Sequence, residues 1–194
     1  CLAELAKERN LVHINLKLKF QGISKIPSSE KTMAVLVKVT ASGIDEKLAT
    51  TFTASDSGIW TGTADFNIAS GSAYTVFIKG PKHIQKKICV NTPTEDYAGS
   101  YHCETGKISL TLGSNDLDFS GITLLAGDLP DQDGVVNSYD ISLVRNNLGK
   151  STSDILALAD LNLDGVVDTQ DYSMIINALS IKFDEGETDT DTTT

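Results

Sequence analysis

Two copies of the tetrapeptide Asp-Gly-Val-Val, at residues 133–136 and 164–167, stand 31 residues apart, and their surroundings repeat with them. Residues 131–150 (DQDGVVNSYDISLVRNNLGK) align with 162–181 (NLDGVVDTQDYSMIINALSI). In each copy the tetrapeptide is followed by Asn137 or Asp168, then by Asp140 or Asp171. Apolar residues come next at helical spacing: Ile141, Val144 and Leu148 in the first copy, Tyr172, Ile175 and Leu179 in the second. The chain therefore carries a duplicated loop-helix unit.

The second copy gives the chemistry most clearly. Asp160, Asn162 and Asp164 alternate, Gly165 permits a sharp turn, and Asp171 closes the loop. This is the D-x-N-x-D-G-x5-acid spacing of a calcium loop. Calcium is a large, hard cation that takes six to eight oxygens. The loop supplies them from alternate side chains, the carbonyl of Val166 and the terminal carboxylate, with Asp168 acting directly or through a water. Two acidic turns that merely cap helices are the alternative, but so many carboxylates in one loop repel one another without a cation. In the first copy Asp131, Asp133, Asn137 and Asp140 keep their places, with the carbonyl of Val135. Its entrance is one residue longer: the usual opening position falls on Leu129, Asp128 lies one residue too early, and Pro130 interrupts. Asp128 completes the first shell only if the widened entrance lets it bend in. Two calcium ions are expected.

The formal charge of −10 is local. Residues 1–127 hold 13 Lys/Arg against 12 Asp/Glu, whereas residues 128–194 hold 3 against 14. This balance argues against a phosphate-clamping nucleic-acid partner. No run of apolar residues approaches the length needed to span a bilayer as a helix. The sequence starts at Cys1, which reads as a processed or incomplete start; its thiol is open to lipidation or cross-linking, or simply marks a fragment end.

The first two thirds reads as β structure. Residues 14–20 alternate apolar and polar, and β-branched or alternating runs follow at 34–40, 48–54, 59–68, 74–79, 88–91, 107–112 and 121–125. Turn signals SGID, SDSG, SGSA, KGPK and GSND lie between them. So many short strands favour an antiparallel, immunoglobulin-like β-sandwich. Trp60 reads as a core aromatic, with a sugar-stacking platform as the alternative. Cys89 and Cys103 enclose a short turn-rich segment and form the natural disulfide, against two buried free thiols. The basic stretch KGPKHIQKK (79–87) reads first as a solvated loop and second as an electrostatic dock for the acidic C-terminal third. The histidines have no zinc-site spacing.

The duplicated unit resembles a dockerin module: two loop-helix calcium units with Asp at the last loop position, joined by a helical linker (STSDILALA, Ser151 or Ser153 as N-cap). The resemblance covers 127–182. It implies calcium-dependent folding and docking onto cohesin domains, themselves β-sandwiches. The implied contact residues are Ser138, Tyr139, Arg145 and Asn146 in the first copy and Thr169, Gln170, Ile176 and Asn177 in the second.

The organisation expected is an arm at 1–10, a β-sandwich at 11–126, the dockerin-like domain at 127–182 and an acidic, Thr-rich tail at 183–194. The fold class is mainly β with a small α module. The last β run enters the first loop with no Pro/Thr/Ser linker, so the two modules should pack as one rigid body. The tail's Asp184, Glu185, Glu187, Asp189 and Asp191 read as available to a basic surface on another subunit. No Ser/His/Asp ordering, phosphate loop or paired carboxylates outside the metal loops suggests an enzyme. The leading expectation is an extracellular, non-catalytic subunit that self-assembles, as a filament or surface fibre, through this module and its termini. The alternative is an adaptor whose module plugs into a separate cohesin while the sandwich binds polysaccharide.

Overall fold

The computed structural model describes residues 11–27, 31–129 and 131–186. The arm at 1–10, Pro130 and residues 187–194 of the tail lie outside the described residues. Among the described residues there are eight strands: β1 (Val12–Lys19), β2 (Thr32–Ala41), β3 (Ile44–Ala54), β4 (Ile59–Phe66), β5 (Gly71–Lys79), β6 (Lys86–Ile88), β7 (Ile108–Leu110) and β8 (Gly113–Asp118). They form one hydrogen-bonded path, β6-β5-β2-β3-β4-β1-β8, with β7 added on β5. The path bends where β3 hands over to β4, a ladder of only Thr53↔Thr61 and Ala54↔Trp60. The inward residues of both halves then meet in one core: Val12, Ile14, Leu16 and Leu18 from β1, Met33, Val35, Val37 and Val39 from β2, and Trp60, Tyr74, Val76 and Ile78. The mainly β fold is thus a curled sheet whose alternating residues fill its inside.

Three sequence expectations need correction here. The sheet is not wholly antiparallel, because β8 runs parallel to β1, Val12 opposite Gly113 through Lys17 opposite Asp118. That strand begins on GSND, read as a turn. Gly113 does turn, at φ +88°, and Asn115 holds the turn by donating to the carbonyls of Thr111 (2.7 Å) and Gly113 (2.9 Å). The polar residues that follow are tolerated because they line the solvent face of an edge strand, while Leu117 points inward. Residues 121–125, in contrast, form no strand; Phe20↔Leu124 and, just beyond, His83↔Ala126 are isolated bridges. Trp60 is fully buried, edge-on to Phe20 at 5.8 Å, which rules out a sugar platform. The disulfide Cys89–Cys103 is present, with Cα atoms 5.3 Å apart.

The C-terminal part has three helices, α1 (Ser138–Asn146), α2 (Ser153–Ala159) and α3 (Thr169–Ala178), with α1 packed on α3. The N-cap of α2 is Thr152, without a side-chain cap bond, rather than Ser151 or Ser153. The cores of the two parts interpenetrate. Leu163, from the second loop, is buried in the core of the sheet, and Ile84, from the segment between β5 and β6, is buried with Val144, Val167, Met174 and Ile175 in the core of the helices. Gly22, at the end of β1, lets α3 come so close that a Cβ there would meet the Met174 sulfur at 2.4 Å.

The basic stretch 79–87 lies at this junction and is not a solvated loop. Lys82, His83, Lys86 and Lys87 are each less than 9% exposed. Carbonyls of Leu156 and Asp160 take Lys82, and the carboxylate of Glu185 takes Lys86 and the Lys87 N–H, which is the second of the two readings offered by the sequence.

Candidate metal centre

Each loop is built so that one carboxylate gathers its backbone. Asp171 accepts from the N–H groups of Leu161 (2.7 Å), Asn162 (3.3 Å) and Asp168 (2.8 Å). Asp140 accepts from Leu129 (3.0 Å) and Asn137 (2.8 Å). The bonds to Asp168 and Asn137 complete capping boxes, in which Asp168 and Asn137 in turn accept from Gln170 (2.6 Å) and Tyr139 (2.7 Å). Helix capping and ion-loop geometry, weighed as alternatives from the sequence, therefore use the same side chains. The left-handed residues also repeat: Gln132 and Gly134 in the first loop, Leu163 and Gly165 in the second. The N–H of Val135 donates to Asp133 (2.9 Å), as that of Val166 does to Asp164 (3.1 Å).

The entrances settle the register of the first loop. In the second, Asp160 accepts from the N–H groups of Asp164 (3.2 Å) and Gly165 (3.0 Å). In the first, Asp128 accepts from Gly134 (3.2 Å), so Asp128 takes the place of Asp160. DLPDQDG then matches DLNLDG with one extra residue, and Asp131 falls on Asn162. Asp128 does turn inward despite the longer entrance. Atoms of Asp128, Asp131 and Asp140 lie within 4.8 Å of one another, close enough to share a cation. In the second loop the amide of Asn162, which donates to Asp164 (3.0 Å), stands where Asp131 stands in the first.

Burial supplies the test of fit. Asp128, Asp160 and Asp171 are fully buried and Asp140 is 1% exposed, whereas Asp131, Asp133 and Asp164 are exposed at the rim. Oδ1 of Asp128 is buried without a hydrogen-bond partner. A buried carboxylate oxygen with no donor is costly unless a cation faces it. Burial pushes the Asp128, Asp160 and Asp171 carboxyls above the usual range despite the N–H groups that hold them. An all-oxygen donor set of this kind suits calcium rather than a softer metal.

The sheet contributes to both entrances through one turn. Lys79 Nζ donates to Asp128 Oδ2 at 2.5 Å and also to Asp184. Three residues on, Lys82 Nζ donates to the carbonyls of Leu156 and Asp160, both at 2.8 Å. Gln132 Nε2 returns a bond to the carbonyl of Gly80 (3.0 Å). The segment after α3 straps the junction closed. The Asp184 N–H donates to Gly134 and its Oδ1 accepts from the Gln85 N–H, while Glu185 takes Lys86 Nζ (2.5 Å) and the Lys87 N–H (2.7 Å). Asp184 and Glu185, expected to serve another subunit, are thus engaged within the chain; the charge was foreseen, but a sequence does not show which basic surface lies within reach. The involvement of Lys79 and Lys82 was signalled only by the density of lysine in 79–87.

The implied contact residues Ser138, Tyr139, Arg145, Asn146, Thr169, Gln170, Ile176 and Asn177 are all exposed, on α1 and α3. Tyr139 is 59% and Ile176 42% exposed.

Residues 126–180 match the family model of the dockerin type I domain. No curated protein matches the chain. Dockerin type I domains bind calcium and are non-catalytic modules that assemble proteins by binding cohesins, and this part of the chain supports such an assembly role. Proteins that contain them are typically secreted, and no described helix is long and apolar enough to cross a membrane.

Proposed function

We propose that the chain is an extracellular, non-catalytic assembly subunit whose dockerin module, loaded with two calcium ions, presents α1 and α3 to a β-sandwich partner. The observation that carries this reading is the partnerless, fully buried Asp128 Oδ1 inside a cluster of three carboxylates. Calcium supplies the positive charge that faces the buried Asp128 and Asp140 carboxylates and the exposed Asp131 beside them. The first ion would be held by Asp128, Asp131, Asp133, Asp140 and the Val135 carbonyl, with Asn137 beside them. The second would be held by Asp160, Asn162, Asp164, Asp171 and the Val166 carbonyl, with Asp168 beside them. Asp140 and Asp171 also cap α1 and α3, so the residues that hold the ions fix the helices that carry Tyr139 and Ile176. Calcium titration of the purified chain tests this; two ions per chain are expected, and none bound at millimolar calcium would sink it.

Self-assembly into a filament is the second reading. Its support is that one chain carries both a curled β-sheet and a dockerin-like module, held together through buried contacts rather than by a tether. The chain's functional divisions, sandwich to residue 126 and dockerin from 127, would then be two faces of one building block, with the engaged part of the tail included. Electron microscopy with calcium and with chelator separates the readings. Calcium-dependent fibres favour self-assembly, and discrete particles under both conditions favour a separate cohesin.

A further inference from the structure

The two loop entrances differ in how the opening carboxylate is held. Asp160 receives two backbone N–H groups, one on each oxygen. Asp128 sits before a longer entrance and receives a single N–H, from Gly134, on Oδ2. Its second donor comes from another part of the fold: Lys79 Nζ, at 2.5 Å from the same oxygen. Both donors therefore hold Oδ2, and Oδ1 is left buried and without a donor.

Lys79 is itself tightly placed. It ends β5, opposite Leu36 of β2, and its side chain is 10% exposed. Asp184 holds the other side of the ammonium and is fixed in turn by the Gln85 N–H and the Gly134 carbonyl. A carboxylate gripped through one oxygen by a rigid charged donor has its other oxygen oriented. Such donors behind metal ligands typically change affinity by about 10- to 100-fold.

We propose that Lys79, a residue of the β-sheet, is a positioning residue for the first calcium site, replacing from outside the module the backbone donor that the lengthened entrance loses. This rests on the calcium reading above. The ammonium acts on Asp128 and is not a ligand. The contact places one support of the first site on the sheet, whereas the second holds the Asp160 carboxylate with its own backbone.

The test is calorimetric calcium titration of the full chain and of three variants. Lys79→Gln should weaken one of the two sites by about 10-fold or more and leave the other within about twofold. Lys79→Arg, which keeps a charged donor, should recover part of the loss. Lys86→Gln is the control for docking alone: it removes the buried Lys86–Glu185 pair, which touches no loop carboxylate, and should leave both affinities in place. The proposal is overturned if Lys79→Gln leaves both sites unchanged or tightens one, which would make the ammonium a competitor of calcium. It is equally overturned if Lys86→Gln reproduces the loss. Failure of the calcium reading looks different, because the unsubstituted chain would then lack two sites.

Discussion

The two acidic loops share their closing carboxylates, capping boxes and left-handed turns, yet they differ in what they draw on. The second holds its carboxylates from within: Asp160 and Asp171 between them collect five backbone N–H bonds from their own loop, and Lys82 donates to the Asp160 backbone carbonyl. The first collects three by the same pair, Asp128 and Asp140, and relies on Lys79 for the rest. Duplicated sequences can thus keep one geometry while one copy passes part of its support to a neighbouring structure. What travels with the copy is the spacing; what holds it depends on where the copy lands.

The largest expected effect comes from removing the closing carboxylates. Asp171→Ala leaves three N–H groups without an acceptor, two of them in buried bonds, and Asp140→Ala leaves two, one of them in a buried bond, so without calcium the former should cost about 3 kcal/mol and the latter less. Denaturant unfolding in chelator measures both, and equal losses would break the contrast between the loops. Each variant should also lose one calcium ion.

A second effect concerns the junction that the first loop leans on. His83 is buried with neither ring nitrogen bonded, tilted against Phe20 at 4.5 Å, and burial, with the charge of Lys82, lowers its pKa from 6.5 to about 3. The folded protein therefore keeps the ring neutral where the unfolded chain protonates it. Stability from this group is full above about pH 6.5 and is lost as pH falls towards 3, by on the order of a few kcal/mol. The buried carboxylates work in the opposite sense in the absence of calcium, since their raised folded pKa values favour the fold as pH drops. His83→Leu should flatten the acid limb of a plot of Tm against pH while calcium is present; an unchanged limb would contradict this account.

Deleting Pro130 sharpens the comparison further. The first entrance becomes DLDQDG, the spacing of DLNLDG, and should regain a backbone donor for Asp128. In that background Lys79→Gln should change first-site affinity by less than about threefold, against the 10-fold or more expected otherwise. The smallest effect is on stability at the outer face. Tyr139→Ser and Ile176→Ser should alter stability by less than about 0.5 kcal/mol, because both side chains are exposed. Both should nonetheless reduce binding to a β-sandwich partner, measured by surface plasmon resonance.

The loops and helices were legible because their chemistry dictates spacing. Asp160, Asn162, Asp164 and Asp171 can surround one ion only at those intervals, and Val144 and Ile175 reach one core only at helical period. Asp128 was harder to place, since one inserted residue removes it from the template although its backbone partner Gly134 is the one the template demands. β8 was hidden because Gly113, Asn115 and Asp116 are turn formers by type, and only the edge position beside β1 makes them a strand. The stretch 79–87 was misjudged for a related reason. Lysine exposure depends on what covers it, and here Asp128, Asp184 and Glu185, remote in sequence, do so.

The exchange of Leu163 and Ile84 between the two cores also has a mechanical consequence. A pull on α1 and α3 cannot first reel out a slack connection, because none separates the helices from the sheet. It must instead shear Leu163 from the sheet's interior and part the lysine–carboxylate contacts at the same moment. A chain built this way behaves under load as a stiff strut, whose extension is that of the folded body alone.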